Sequence, residues 1–175
     1  TFELLTKLYH HLLNKIDDSK QMIIMGDSAG GQIALAFAQQ LKKDSEPQPS
    51  HIVLISPVLD ATFSNPEARK YEKEDPMLGI EGSKYLVNLW AGDAPLDHYK
   101  LSPMYGDLED LGHITITTGT KETLYPDAVK FSTMLNEKGI NHEFIPGYSL
   151  FHIYPIFPIP ERERFLEQLK RIILK

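Results

Sequence analysis

The chain has 175 residues, of which 42% are apolar and 24% charged, and its 24 acidic and 18 basic side chains give a formal net charge of −6. These values are ordinary for one globular domain, and they provide neither a basic surface for nucleic acid nor a basic membrane-binding face. The absence of cysteine excludes disulfides, thiolate metal ligands and cysteine nucleophiles. It also fits a reducing compartment, so we expect the cytoplasm. No apolar run reaches the roughly 18 residues of a membrane-spanning helix.

The first half of the chain predicts helices that alternate with strands. Residues 2–16 form a predicted amphipathic helix, because apolar residues recur every three to four positions. The apolar runs at 22–25 and 51–56 are typical of strands buried on both faces of a sheet. Between these runs, residues 29–42 have helical spacing and small alanines that suit close packing on a sheet. The polar segment 60–76 that follows is predicted to be irregular.

The second half continues this alternation. Further elements are predicted at 80–90 (helix), 113–118 (strand), 127–138 (helix), 142–146 (strand) and 161–174 (helix). Such alternation is typical of an α/β fold with a mostly parallel sheet and helices on both faces. We expect one domain over residues 1–175, with a small helical insertion at about 63–100. Ligands of such sheets bind at the carboxyl ends of the strands, so the loops that follow strands are where functional residues are expected.

A G-x-S-x-G pattern, Gly26-Asp27-Ser28-Ala29-Gly30, joins the first predicted strand to the next helix. The pattern alone is weak evidence, but its strand–turn–helix setting is the one that a nucleophile elbow requires. We expect a Cβ atom at Gly26 or Gly30 to collide with neighbouring backbone, which would explain both glycines. Ser28 is therefore a candidate nucleophile. The backbone N–H of Ala29, at a helix N-terminus, is a candidate oxyanion donor.

A nucleophilic serine needs a base, and the base needs a carboxylate that orients it. In this setting the chain order is serine, acid, histidine. His152 follows the last predicted strand and is the candidate base, because the other histidines lie on the first helix, at strand starts or in a loop that no strand end reaches. Two candidate acids remain open. Glu122 lies near the end of the third strand, whereas Asp127 also suits a first-turn position that complements a helix dipole.

These residues resemble a known family. GDSAGG at 26–31 is similar to the serine motif of the hormone-sensitive-lipase-like branch of the α/β-hydrolases. The likeness extends through ISPVLDAT (55–62), DPMLGIEG (75–82), LSPMYGDLEDL (101–111), GTKETLYPDA (119–128) and FHIYPIFPIPE (151–161). Together these stretches resemble bacterial esterases and lipases of the acetyl-esterase type. The resemblance implies the α/β-hydrolase fold and cleavage of carboxylic esters through an acyl-serine intermediate, with no metal or cofactor.

The sequence departs from the family pattern at two points. The family usually has aspartate where this chain has Glu122, so the longer side chain must be accommodated. The family's HGG-type oxyanion loop, which precedes the serine motif, has no counterpart. We therefore expect these residues to be the C-terminal part of a longer hydrolase, weakly active or inactive alone. We also expect an unpaired sheet edge, suited to a homodimer.

The expected function is that of a serine hydrolase acting on small, short-acyl esters. The alternatives are a serine peptidase of the same fold and a catalytically weak, hydrolase-like binding protein. Tyr85, Leu86 and Trp90 lie on the predicted helix 80–90. They either line an acyl pocket or pack as an ordinary amphipathic helix.

Overall fold

The computed structural model describes residues 1–174. Within these residues four parallel strands form one sheet in chain order: β1 (Ile23–Asp27), β2 (His51–Ile55), β3 (His113–Gly119) and β4 (His142–Gly147). The α-helices of the same residues are α1 (Phe2–Leu13), α2 (Ala29–Lys43), α3 (Ala68–Tyr71), α4 (Ile80–Ala91), α5 (Tyr125–Glu137) and α6 (Pro160–Ile173). Short 3₁₀ turns lie at Ser19–Gln21, Pro103–Tyr105 and Tyr154–Ile156.

Helices cover both faces of the sheet, as predicted. On one face, α2 and α5 pack on alternate strand residues, and the fully buried members of this cluster include Leu35, Ile52, Leu54, Ile116, Phe131 and Leu135. On the other face, α6 packs on the intervening strand residues, and this cluster includes Val53, Ile55, Ile145, Phe165 and Leu169. Helix α1 packs on α2 through Tyr9, which meets Phe37 edge-on. The expectation of a parallel sheet between two helical layers is confirmed.

The strand register brings the carboxyl ends of the strands to one edge of the sheet. Asp27 lies opposite Ile55, and Ile55 lies opposite Thr117. Thr117 in turn lies opposite Ile145. Loops that are distant in sequence therefore meet where the strands end, and these loops carry the candidate functional residues.

The expectation that the first strand is buried on both faces is wrong. Ile23 is 39% exposed and Met25 is 50% exposed. The reason is that β1 is an edge strand, paired only with β2 among the described residues. In addition, the layer formed by α6 covers Val53 and Ile55 of β2 but not the neighbouring residues of β1. A purely apolar run does not reveal whether its strand has one neighbour or two.

Some element bounds also differ from the predicted ones. Helix α1 ends at Leu13 rather than at residue 16, because Lys15 and Ile16 instead donate to carbonyls three residues back, as the chain turns towards β1. Helix α5 begins at Tyr125, since Pro126 suits a first helical turn. The segment 60–76 includes the four-residue helix α3. Along residues 1–174, no helix is both long and apolar enough to cross a bilayer.

Candidate active site

Ser28 lies in the sharp turn between β1 and α2. Its backbone has φ 54° and ψ −119°, a combination that residues other than glycine rarely adopt. Hydrogen bonds with the end of β2 and with the loop after it hold this turn: the Ser28 N–H donates to the Ile55 carbonyl at 2.8 Å, and the Val58 N–H donates to the Ser28 carbonyl at 3.2 Å. The turn thus has the strained strand-to-helix geometry of a nucleophile elbow.

The glycines around Ser28 differ in whether a larger side chain would fit in their place. A Cβ atom on Gly26 would lie 2.1 Å from the Gly30 carbonyl oxygen, which no local adjustment can relieve. A Cβ atom on Gly31 would lie 2.8 Å from the Pro57 Cβ atom. At Gly30, in contrast, the nearest atom would be an Asp27 carboxylate oxygen at 4.0 Å. The expected collision is therefore confirmed at Gly26 and wrong at Gly30, because Gly30 faces the uncovered side of β1.

His152 lies in the loop after β4, where its side chain is buried. Its Nε2 atom is 3.0 Å from Ser28 Oγ. The loop is fixed by hydrogen bonds to the loop after β3, including that from the Lys121 N–H to the Leu150 carbonyl at 2.9 Å. An edge-on contact between Phe151 and Phe157, with ring centroids 5.1 Å apart, packs both sides of the same loop.

Glu122 is fully buried behind His152. Its Oε2 atom is 3.4 Å from His152 Nδ1, longer than a well-formed hydrogen bond, and Nδ1 has no hydrogen-bond partner of standard geometry among residues 1–174. Such contacts are often long in enzymes without substrate. The carboxylate is held by other groups: Ser56 Oγ donates to Oε2 at 2.8 Å, and Thr118 Oγ1 donates to Oε1. The Gly119 N–H also points at Oε2, at 3.4 Å.

Asp127, the alternative acid, lies in a different contact. It is buried in the first turn of α5, and its carboxylate accepts a hydrogen bond from Asn65 Nδ2 at 2.8 Å. Burial raises the pKa of the Asp127 carboxyl above its usual range, while the Asn65 hydrogen bond partly opposes this rise. The carboxylate that the structure brings next to His152 is that of Glu122.

The first turn of α2 and helix α4 line the space beside Ser28. Ala29 opens α2, so its backbone N–H has no acceptor within the helix and is free to bind an anion. Next to it lies an apolar pocket of about 200 Å³, lined by Ala29, Gln32, Ile33, Val58, Leu86, Val87 and Trp90. Leu86 is 64% exposed and Trp90 is 46% exposed, so these side chains do not pack in a core. Tyr85 is also exposed but does not line this pocket.

Ser56 and Thr118 are site residues that sequence reasoning missed. Each contacts the Glu122 carboxylate, and neither belongs to a recognisable catalytic pattern. One signal could have found Ser56: it directly follows β2, at the edge of the sheet where ligands bind.

Comparison with known proteins identifies the family. Residues 1–156 match a family described by the alpha/beta hydrolase fold. The chain belongs to this family. An esterase from Acinetobacter venetianus is 32% identical over 166 residues, which are 93% of this chain and 54% of the relative. An acetyl-hydrolase from Streptomyces hygroscopicus is 30% identical, over 91% of this chain and 54% of the relative.

Solved structures agree with this assignment. A candidate esterase from Staphylococcus aureus superposes with a TM-score of 0.96 at 30% identity, over 100% of this chain and 59% of that protein. An esterase from the bacterial hormone-sensitive lipase family superposes with a TM-score of 0.89 at 25% identity, over 94% of this chain and 56% of that protein. The likeness to the hormone-sensitive-lipase-like branch is thus confirmed. The chain spans about half the length of the curated relatives it matches.

Proposed function

We propose that this α/β-hydrolase chain carries the catalytic residues of a serine hydrolase that cleaves small carboxylic esters with short acyl groups. The observation that carries the proposal is the 3.0 Å contact between His152 Nε2 and Ser28 Oγ. The buried Glu122 carboxylate lies on the other side of the same imidazole ring. Esterase relatives that align along most of the chain support the same chemistry.

In the proposed reaction, Ser28 Oγ attacks the ester carbonyl while His152 Nε2 takes its proton. The imidazolium that forms then has both ring nitrogens protonated, and its Nδ1–H points at Glu122, whose negative charge stabilises it. His152 next returns the proton to the leaving alcohol. Water then attacks the acyl-serine by the same route, with His152 again as base, and releases the carboxylic acid.

The carbonyl oxygen becomes negatively charged during this attack. The Ala29 N–H at the start of α2 is the donor that these residues offer to it. Removing one donor from an oxyanion hole costs about 10²–10³ in rate, so a site with this donor alone is expected to turn over slowly.

The pocket beside Ala29 supports a short acyl group. Its volume of about 200 Å³ is below the roughly 300–1,000 Å³ of pockets that bind drug-sized ligands. Its walls are almost entirely apolar, which suits an alkyl chain and not a charged or peptide-like group. An ester is therefore favoured over a peptide as substrate.

The first test is reaction of this chain with a fluorophosphonate, followed by intact-mass spectrometry. We expect one adduct, lost in Ser28→Ala and in His152→Ala, because only a serine with an adjacent base is nucleophilic enough. His98→Ala is the matched control. His98 lies in a loop, where its Nδ1 atom accepts a hydrogen bond from the Lys100 N–H rather than from a serine hydroxyl, so this variant should label like the wild type. A folded chain that gives no adduct would contradict the proposal and favour a binding protein.

We also propose that two copies of this chain associate through β1. The uncovered edge of this strand adjoins an apolar groove of about 370 Å³ between β1, α1 and α2, lined by residues that include Leu8, Leu12, Met25 and Ile33. An unpaired edge strand next to exposed apolar side chains is a ready site for strand pairing. A two-fold axis at this edge would pair β1 with its copy in antiparallel orientation.

A further inference from the structure

We infer that Ser56 is a positioning residue of the proposed active site, tying the Glu122 carboxylate to the loop that carries His152. The inference rests on the proposed function. It concerns a hydroxyl that does not touch the reacting atoms and acts through the residues that do.

Ser56 makes one hydrogen bond to each side of the acid–histidine pair. Its Oγ donates to Glu122 Oε2 at 2.8 Å, the same oxygen that faces His152. The same Oγ accepts the backbone N–H of Ile153, the residue after His152, at 2.9 Å. A hydroxyl can donate and accept at once, so Ser56 bridges two loops that are distant in sequence.

The backbone at Ser56 is held in an unusual conformation that aims this hydroxyl. Its φ is 44°, in the left-handed region, and its side chain is fully buried. The Ser56 N–H donates to the Thr117 carbonyl at 2.7 Å, continuing the pairing with β3 past the end of β2. Strained backbone of this kind persists where the surroundings enforce it, and it clusters at functional sites.

The contact matters because the acid and the base are not tightly joined to each other. Glu122 and His152 are 3.4 Å apart, so their relative position depends on the groups that hold each of them. Without the Ser56 hydroxyl, the carboxylate keeps Thr118 Oγ1 as its remaining hydroxyl donor, on the oxygen that faces away from His152. The Ile153 N–H would also lose its acceptor, and Ile153 is itself in a left-handed conformation with φ 50°.

The test compares second-order rates of fluorophosphonate labelling at Ser28 in matched variants. We expect Ser56→Ala to lower the rate about tenfold or more, since small misplacements of a catalytic group have effects up to about 10²-fold. Ser56→Gly, which suits the left-handed backbone but lacks the hydroxyl, should be equally slow. On a Glu122→Gln background, Ser56→Ala should lower the rate by a clearly smaller factor than in the wild type, because the part of its effect that acts through the Glu122 carboxylate is already lost.

Ser102→Ala is the matched control for loss of a buried hydroxyl. Ser102 is also fully buried, donates to the Leu96 carbonyl at 2.6 Å and accepts the Ala61 N–H at 2.9 Å, away from His152. This variant should lower the melting temperature in the same way as Ser56→Ala but leave the labelling rate unchanged. A rate that falls equally in both variants would reduce Ser56 to a structural role and overturn the inference.

The outcomes separate this inference from the proposed function. A wild-type chain that gives no adduct overturns both proposals. If the wild type is labelled normally and Ser56→Ala is labelled at the same rate, the Ser56 inference alone is overturned. A readout independent of reactivity is the ¹⁵N NMR signal of the His152 ring, assigned with His152→Ala. It should shift in Ser56→Ala and not in Ser102→Ala, and an unchanged signal in Ser56→Ala would also count against the inference.

Discussion

At the scale of single residues, the elbow combines strain with very close packing. Ser28 and Ser56 both have positive φ, and a residue held in such a conformation costs of order 1–3 kcal/mol. Both lie directly after strands, where hydrogen bonds from neighbouring strands enforce the backbone. The molecule thus gives up stability at the two turns that place the proposed nucleophile and support the proposed acid.

Gly26 lies two residues before Ser28 and Gly30 two residues after it, and the two should respond differently to substitution by alanine. Gly26→Ala should destabilise the fold by about 3 kcal/mol, because its Cβ would meet the backbone of Gly30 and Gly31 below 3 Å. Gly30→Ala should be neutral or stabilising by up to about 1 kcal/mol, since Gly30 lies in α2 and alanine is the better helix former. Urea unfolding of both variants measures this difference, and equal losses of stability would show that the steric argument is wrong.

At the scale of secondary-structure elements, α4 has an exposed side that faces the pocket beside Ser28. Its buried residues include Ile80 and Val87, which pack in the cluster beneath the loop after β2. Leu86 and Trp90 remain 64% and 46% exposed and form the outer wall of the pocket. A wall made of exposed side chains can be altered with little effect on the core.

Trp90→Ala should therefore change acyl preference without unfolding the protein. Removing the indole opens the outer end of the pocket, so the ratio of kcat/KM for p-nitrophenyl octanoate to that for the acetate should rise about tenfold. Tyr85→Ala is the matched control, an exposed aromatic on the same helix that does not line the pocket. A ratio that is unchanged in Trp90→Ala, or equally changed in Tyr85→Ala, would contradict the assignment of this pocket to the acyl group.

The elements that the sequence predicts well are those whose signals are local. Helix α2 and strand β2 match their predicted bounds within one residue, because a glycine-rich turn and an apolar run mark them. An unpaired sheet edge was expected, but the exposed face of β1 was not, since an apolar run does not show how the strand is covered by its neighbours. Ser28 and His152 could be picked out as candidates because the chemistry of a serine hydrolase would constrain their order and their places after strands. Ser56 was not, because its role exists only once the register of β2 and β3 brings it to Glu122.

At the scale of the whole molecule, the candidate catalytic residues Ser28, Glu122 and His152 lie close to the uncovered edge of β1. The uncovered edge of β1 adjoins a groove whose lining includes Gly30, two residues from Ser28, the proposed nucleophile. Curated relatives are about twice as long as the matched region, so their activity is a property of more chain than these residues represent. For this chain, labelling therefore tests whether Ser28 is reactive, whereas ester turnover tests whether the complete reaction takes place.

The proposed pairing through β1 makes a prediction about assembly. The wild-type chain should dimerise with rising concentration in analytical ultracentrifugation, because joining two β1 edges satisfies backbone groups and covers exposed apolar side chains such as Met25. Met25→Lys should be monomeric, since a charged side chain at an edge strand opposes pairing. Leu89→Lys is the control, as Leu89 is 65% exposed on α4 and does not line the groove beside β1, and it should dimerise like the wild type. A wild-type chain that stays monomeric at all concentrations, or a Met25→Lys chain that still dimerises, would exclude β1 as the interface.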